Sequence, residues 1–169
     1  LVETSDQQWC SDKIDEVARK WFAGVDFEQA LAKPMFYTNW LSKDTRRVER
    51  EDLKDFLSAR LRVFYEEELD VPLVVFDEVL EHILRIDRVL RQPMGHLLLV
   101  GDSGAGKTVL SKFVSWMNGL NIFQIKTHSR YGMEDFNDDL RTVMRRVGVD
   151  GERVCFIFDE SNILSSGFI

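Results

Sequence analysis

The chain has 169 residues, of which 44% are hydrophobic and 30% are charged, as in an ordinary globular domain. Its formal net charge of −7 argues against bulk electrostatic binding of nucleic acid, which needs a basic face. No apolar run approaches the ~20 residues of a membrane span, and the polar, acidic first residues are not typical of a secretory signal.

Residues 1–68 are predicted to form a mostly helical segment. Three of the four tryptophans fall within residues 1–50, where little periodicity indicates short helices and a loop around residues 31–44. The missing initiator methionine predicts an internal piece of a longer polypeptide. Two widely separated cysteines, Cys10 and Cys155, favour a reduced, intracellular protein.

Two amphipathic helices are predicted next, because apolar residues recur at helical spacing. The first covers residues 50–68, and its apolar positions are Leu53, Phe56, Leu57, Leu61 and Phe64. The second begins near Pro72, is ended by Pro93, and has the buried stripe Phe76, Val79, Leu80, Ile83, Ile86 and Leu90.

Residues 69–169 are predicted to form an α/β domain with a parallel sheet flanked by helices. Short apolar runs at residues 96–100, 121–126 and 153–160 alternate with two amphipathic helical patterns. Strands that alternate with helices are typical of a parallel sheet, and continuous apolar runs are typical of strands buried on both faces.

A glycine-rich turn follows the first of these predicted strands and opens a helix. It matches G-x-x-x-x-G-K-[ST], the P-loop, whose backbone amides surround a phosphate while its lysine reaches the β- and γ-phosphates and its hydroxyl reaches Mg²⁺. A chance match in a glycine-rich loop is the alternative, but the strand before it and the helix after it favour nucleotide binding. The predicted residues are Gly101, Asp102, Ser103, Gly104, Ala105, Gly106, Lys107 and Thr108.

The third predicted strand ends in two carboxylates, Asp159 and Glu160. They could simply be the solvated end of a core strand. Beside a P-loop, however, they are typical of a Walker B motif, in which Asp159 would bind Mg²⁺ and Glu160 would orient the attacking water. Since parallel strands end at one edge of a sheet, both motifs are expected there.

Most of the chain resembles the fourth AAA+ module of cytoplasmic dynein heavy chains. The resemblance is carried by "FYTNWLSKD" (36–44), by residues 59–108 with "LLLVGDSGAGKT", by "FVSWMNGL" (113–120), by "DFNDDLRTVMRRVG" (135–148) and by "FIFDESNILSSGFI" (156–169). Residues 1–68 resemble the end of the preceding module and its connection, and 69–169 the first part of an AAA+ large subdomain.

The resemblance implies an AAA+ P-loop NTPase fold that is truncated after the Walker B strand. The family's strand order, 5-1-4-3-2, places an absent fourth strand between the Walker A and Walker B strands. Residues 1–169 alone are therefore expected to be inactive and not cooperatively folded. By the same resemblance, Val71, Pro72 and Leu73 would pack on the adenine of ATP or ADP, although packing at a helix start is the alternative.

The function implied is that of an ATPase module, regulatory within the ring of a minus-end-directed microtubule motor. Its partners would be neighbouring AAA+ modules and, through other parts of a heavy chain, intermediate chains, light chains and microtubules in the cytoplasm. Nucleic acid and a membrane span are not expected. A structural module that binds nucleotide without useful turnover, or an unrelated P-loop ATPase, remains the alternative.

Overall fold

The computed structural model describes residues 3–67 and 77–168, which fall into two compact units, Leu1–Val48 and Glu49–Ile169. The predicted boundary between residues 68 and 69 lies outside the described residues and stays a prediction. Among the helices that the structure describes, none is long and apolar enough to cross a membrane. Both cysteines are free thiols, with Cys10 exposed and Cys155 half-buried.

Within residues 3–48, the first unit contains two helices and a small hairpin. Helix α1 (Thr4–Trp21) has 18 residues, so the prediction of short helices here is wrong for this stretch. The stretch has no glycine or proline to interrupt it, which explains its length. Helix α2 (Phe27–Ala30) is capped at its N-terminus by Asp26, whose carboxylate accepts from two backbone amides. Strands β1 (Tyr37–Thr38) and β2 (Arg46–Arg47) pair antiparallel.

In its described residues, the second unit contains four α-helices and a parallel strand pair. The helices are α3 (Arg50–Glu67), α4 (Asp77–Leu90), α5 (Lys107–Met117) and α6 (Met133–Gly148). Strands β3 (Asn121–Gln124) and β4 (Val154–Ile157) lie between and after the last two helices, and short 3-10 helices cover Glu160–Asn162 and Ser166–Phe168.

Helices α3 and α4 carry the apolar stripes that their spacing predicts, and α5 packs against both. Phe64 of α3 makes an edge-on ring contact with Phe113 of α5 at 5.4 Å, and the Arg60 guanidinium lies 4.7 Å from the Trp116 ring centre. Fully buried aromatic and aliphatic side chains contribute about 1.5–3 kcal/mol each. The buried positions confirmed here are Leu53, Leu57, Leu61, Phe64, Val79, Leu80, Ile83 and Ile86. On α5, Leu110, Phe113 and Val114 are buried as well.

The parallel sheet is confirmed for β3 and β4. Their register aligns Asn121 with Val154 at one end and Gln124 with Ile157 at the other. Helix α5 contacts both strands, and α6 contacts β4. The carboxyl ends of the two strands therefore lie side by side at one sheet edge, as predicted for this pair.

The strand predicted at residues 96–100 is wrong. These residues form no ladder, and Leu98 and Val100 are 86% and 71% exposed. An apolar run becomes a strand only when a neighbour pairs its N–H and C=O groups, and none of the described residues does so. Burial on both faces is also wrong for β4, since Phe156 is exposed.

Candidate functional site

The glycine-rich turn has the backbone that its sequence requires. Gly104 and Gly106 have φ of 82° and 78°, in the left-handed region that side chains with a Cβ disfavour. A Cβ added at Gly101 or Gly104 would meet no atom within 4 Å, so the space around both positions is open. The turn is thus a backbone loop with room beside it.

Lys107 closes this loop from within. Its ammonium donates hydrogen bonds to the carbonyl oxygens of Gly101 (2.6 Å) and Asp102 (2.7 Å). The same Asp102 oxygen accepts a bond from the Ala105 amide at 3.3 Å. A positive charge is therefore held against the loop's own backbone.

Helix α5 begins at Lys107, and its first turn has no side-chain cap, because Gly106 precedes it. The first backbone N–H groups of a helix have no partner within the helix, and the helix dipole makes that end positive. Uncapped N–H groups beside a lysine are favourable for an anion such as phosphate. Thr108 lies in this first turn and is half-buried.

Asp159 ends the segment after β4 and caps the 3-10 helix that follows. One carboxylate oxygen, Oδ1, accepts from the backbone amide of Ser161 at 3.0 Å and from its hydroxyl. The other oxygen, Oδ2, accepts from Nε2 of Gln124 at 2.9 Å. Three neutral donors therefore hold this carboxylate, and Glu160 beside it is exposed.

Asn162 anchors the same turn to β3. Asn162 is buried, with only 2% of the residue exposed. Oδ1 accepts from the Asp159 amide at 3.0 Å, and Nδ2 donates to the Ile125 carbonyl at 3.0 Å. The oxygen and the NH2 group of its amide thus each have a partner inside the protein, as buried polar groups usually do.

A small apolar cluster supports this turn. Its buried members are Ile125, Phe136 and Phe168, and the rings of the two phenylalanines stack at 4.6 Å. Tyr131 packs edge-on against Phe168 and donates to the Asp139 carboxylate. Burial, followed by this hydrogen bond, raises the pKa of Tyr131 far above its ordinary value, so the phenol stays neutral.

The predicted site residues fall into two groups. Hydrogen bonds bring Gly101, Asp102 and Lys107 together in the loop, and Asp159 and Glu160 occupy the turn. Within the described residues, no hydrogen bond or ion pair joins the two groups. Val71, Pro72 and Leu73 lie outside those residues, so their predicted adenine contact stays a prediction.

Sequence reasoning missed Gln124, Ser161 and Asn162, which hold the Asp159 turn. Gln124 is a polar residue near the end of an apolar strand, and this position could have indicated its role at the sheet edge. Ser161 and Asn162 directly follow the two carboxylates. The contacts of Gln124 with Asp159 and of Asn162 with Ile125 join residues 35 and 37 apart. They depend on strand pairing, which no local pattern reports.

The chain matches a known P-loop family over more than half its length. The family model described as "P-loop containing dynein motor region D4" matches residues 71–169. The chain belongs to this family, which confirms the resemblance found in the sequence.

Relatives among curated proteins agree with this assignment. The whole chain is 61% identical to "Dynein heavy chain, cytoplasmic" of Drosophila melanogaster and 59% identical to the protein of that name in Dictyostelium discoideum. It is 48% identical to "Dynein heavy chain-like protein 1" of Plasmodium falciparum. The chain spans 4%, 4% and 3% of the lengths of these relatives.

Proposed function

We propose that this chain is an ATP-binding and ATP-hydrolysing AAA+ module of a dynein heavy chain. The observation that carries the proposal is the loop at residues 101–106. Two left-handed glycines shape it, it opens α5, and the Lys107 ammonium lies against it. This arrangement suits the phosphates of ATP or ADP.

The residues present fit a magnesium nucleotide. Thr108 supplies a hydroxyl and Asp159 a carboxylate, which are the oxygen donors that Mg²⁺ prefers. Bound magnesium would neutralise phosphate charge. Lys107 would exchange its loop carbonyls for the β- and γ-phosphates. Glu160, exposed beside Asp159, would orient the attacking water and accept its proton.

The proposed fold is the AAA+ P-loop fold, of which β3 and β4 would be the second and third strands. Direct pairing of β3 with β4 agrees with the family order 5-1-4-3-2. Leu97, Leu98 and Val100 are exposed apolar residues, and this supports contact between residues 96–100 and a further part of a heavy chain.

Within a heavy chain, the module would act as a regulatory site in a ring of AAA+ modules. Two of the relatives named above are cytoplasmic dynein heavy chains, which supports this setting. The ring would belong to a minus-end-directed microtubule motor of the cytoplasm. Intermediate chains, light chains and microtubules would be bound by other parts of the heavy chain.

Replacing Lys107 tests the proposal. In the complete heavy chain, Lys107→Ala should weaken nucleotide binding at this site about 10- to 100-fold, because a charged hydrogen bond contributes about 1.5–3 kcal/mol. Photo-crosslinking of an azido-ATP probe to the peptide that contains residues 101–118 measures the occupancy of this site. Lys112→Ala, on the same helix but outside the loop, is the matched control. Equal labelling of the Lys107→Ala and unmodified chains would contradict the proposal.

A further inference from the structure

The carboxylate of Asp159 is held entirely by uncharged donors in the part of the chain that the structure describes. The Gln124 amide donates to Oδ2, and the amide and hydroxyl of Ser161 donate to Oδ1. No lysine, arginine or histidine among the described residues forms an ion pair with it. Its negative charge is therefore oriented without being neutralised.

Orientation at both oxygens matters because a carboxylate otherwise rotates freely about its last bond. Bonds to a single oxygen would still allow the other to swing. Gln124 and Ser161 bind different oxygens from different elements, the end of β3 and the 3-10 turn. Together they fix the plane of the carboxylate relative to the sheet edge.

The backbone of Asp159 is fixed by a separate contact. Asn162, almost fully buried, joins the Asp159 amide to the carbonyl of Ile125, the residue after Gln124. The end of β3 thus holds Asp159 twice, once by its main chain and once by its carboxylate. A purely structural turn needs the first contact but not the second.

We propose that Gln124 is a positioning residue that presents the charged carboxylate of Asp159 to Mg²⁺, with Asn162 as its backbone anchor. The inference rests on the proposed function, since it assigns a role at the same site. When a side chain that binds a metal loses its hydrogen-bond partner, the affinity for the metal commonly falls by about 10- to 100-fold. Neutral partners suit this task because they leave the full charge for the cation.

The opposite end of β3 provides a matched control. Asn121 donates from Nδ2 to the Glu152 carboxylate at 2.9 Å, which is the same amide-to-carboxylate contact on the same strand. Four residues of a strand separate the two contacts by about 10 Å. Removing each donor separately distinguishes a local role of Gln124 at Asp159 from a general contribution to the stability of the sheet.

The experiment compares Gln124→Met, which keeps the length of the side chain but removes the donor, with Asn121→Leu. Both are made in the complete heavy chain. The measurement is the Mg²⁺ concentration that gives half-maximal retention of radiolabelled ATP, with the Lys107→Ala chain as the blank for this site. Gln124→Met should raise that concentration about tenfold, whereas Asn121→Leu should leave it unchanged.

Two further readouts keep the outcomes distinct. Retention of ATP in EDTA and hydrogen exchange of residues 121–125 and 154–157 should be the same in Gln124→Met and the unmodified chain. An unchanged Mg²⁺ requirement, an equal shift in both variants, or loss of protection in the strands would overturn the inference alone. If Lys107→Ala removed no retained ATP, the proposed function would fall, and this inference with it.

Discussion

The glycine loop at residues 101–106 and the Asp159 turn are built by different means. The loop is closed by its own backbone and by the next side chain along, Lys107. The turn depends on Gln124 and Ile125, which lie 35 and 37 residues away from their partners. The loop is determined by consecutive residues, whereas the turn forms only after β3 and β4 have paired. Under the proposed function, the first binds phosphate and the second supports the reaction.

The largest expected effect tests whether the loop binds phosphate while the turn supports hydrolysis. Glu160→Gln should reduce hydrolysis at this site about 10²- to 10⁴-fold, because an amide cannot accept the proton of the attacking water. Binding should persist, since the loop is unchanged. The ratio of ATP to ADP crosslinked to the peptide containing residues 101–118 reports the effect in the complete heavy chain.

Glu134→Gln, an exposed glutamate of α6, is the control for this change. If Glu160→Gln emptied the site, the division of tasks between loop and turn would be incorrect. If hydrolysis stayed at its original rate, the role given to Glu160 would be incorrect. If the unmodified chain itself formed no ADP at this site, the alternative of a structural nucleotide-binding module would be favoured.

A smaller effect is expected when the anchor of the turn is removed. Asn162→Ala leaves the Asp159 amide and the Ile125 carbonyl without their partner, and an unsatisfied buried group costs about 1–3 kcal/mol. The free energy of local opening at residues 156–162 should therefore fall by about 2 kcal/mol, and hydrogen exchange there should be correspondingly faster. Amides of residues 101–108 should exchange as before.

Asn137→Ala, a half-buried asparagine on α6, serves as the comparison for this variant. Equal acceleration in the loop and in the turn would show that the two regions open as one unit. The loop and the turn would then differ in the contacts that form them but not in their local stability.

The smallest expected effect concerns the loop alone. Gly104→Ala has open space for its methyl group but keeps a φ of 82°, so its cost is backbone strain of about 1 kcal/mol. Gly101→Ala meets no atom within 4 Å and has no positive φ, and should be neutral. Faster exchange of residues 101–106 in the first variant only is the expected result. Equal exchange in both variants would contradict a locally determined loop.

Local patterns predicted the parts of the fold that local residues determine. The stripes of α3 and α4 follow from helical spacing, and the two positive-φ glycines lie within the predicted P-loop. Residues 96–100 show the limit of such reasoning. An apolar run favours a strand, yet a strand also needs a partner, and here Leu98 is exposed instead.

The contacts of the Asp159 turn could not be predicted for a related reason. Gln124 donates to Asp159 because β3 and β4 pair in one register, with Gln124 beside Ile157. A shift of one residue would turn the Gln124 side chain to the other face of the sheet. The two carboxylates were visible in the sequence, whereas the residues that hold them depend on this register.

The two carbonyl bonds of Lys107 have a kinetic consequence for any anion that binds the loop. An ammonium with partners of its own must give them up before it can hold a phosphate, which subtracts from the net affinity. When the phosphate dissociates, the ammonium can bond the same two carbonyl oxygens again, so its charge does not lose all its hydrogen-bond partners. Under the proposed function, these bonds would therefore weaken net phosphate binding, and shorter residence times are expected than for a lysine without such partners.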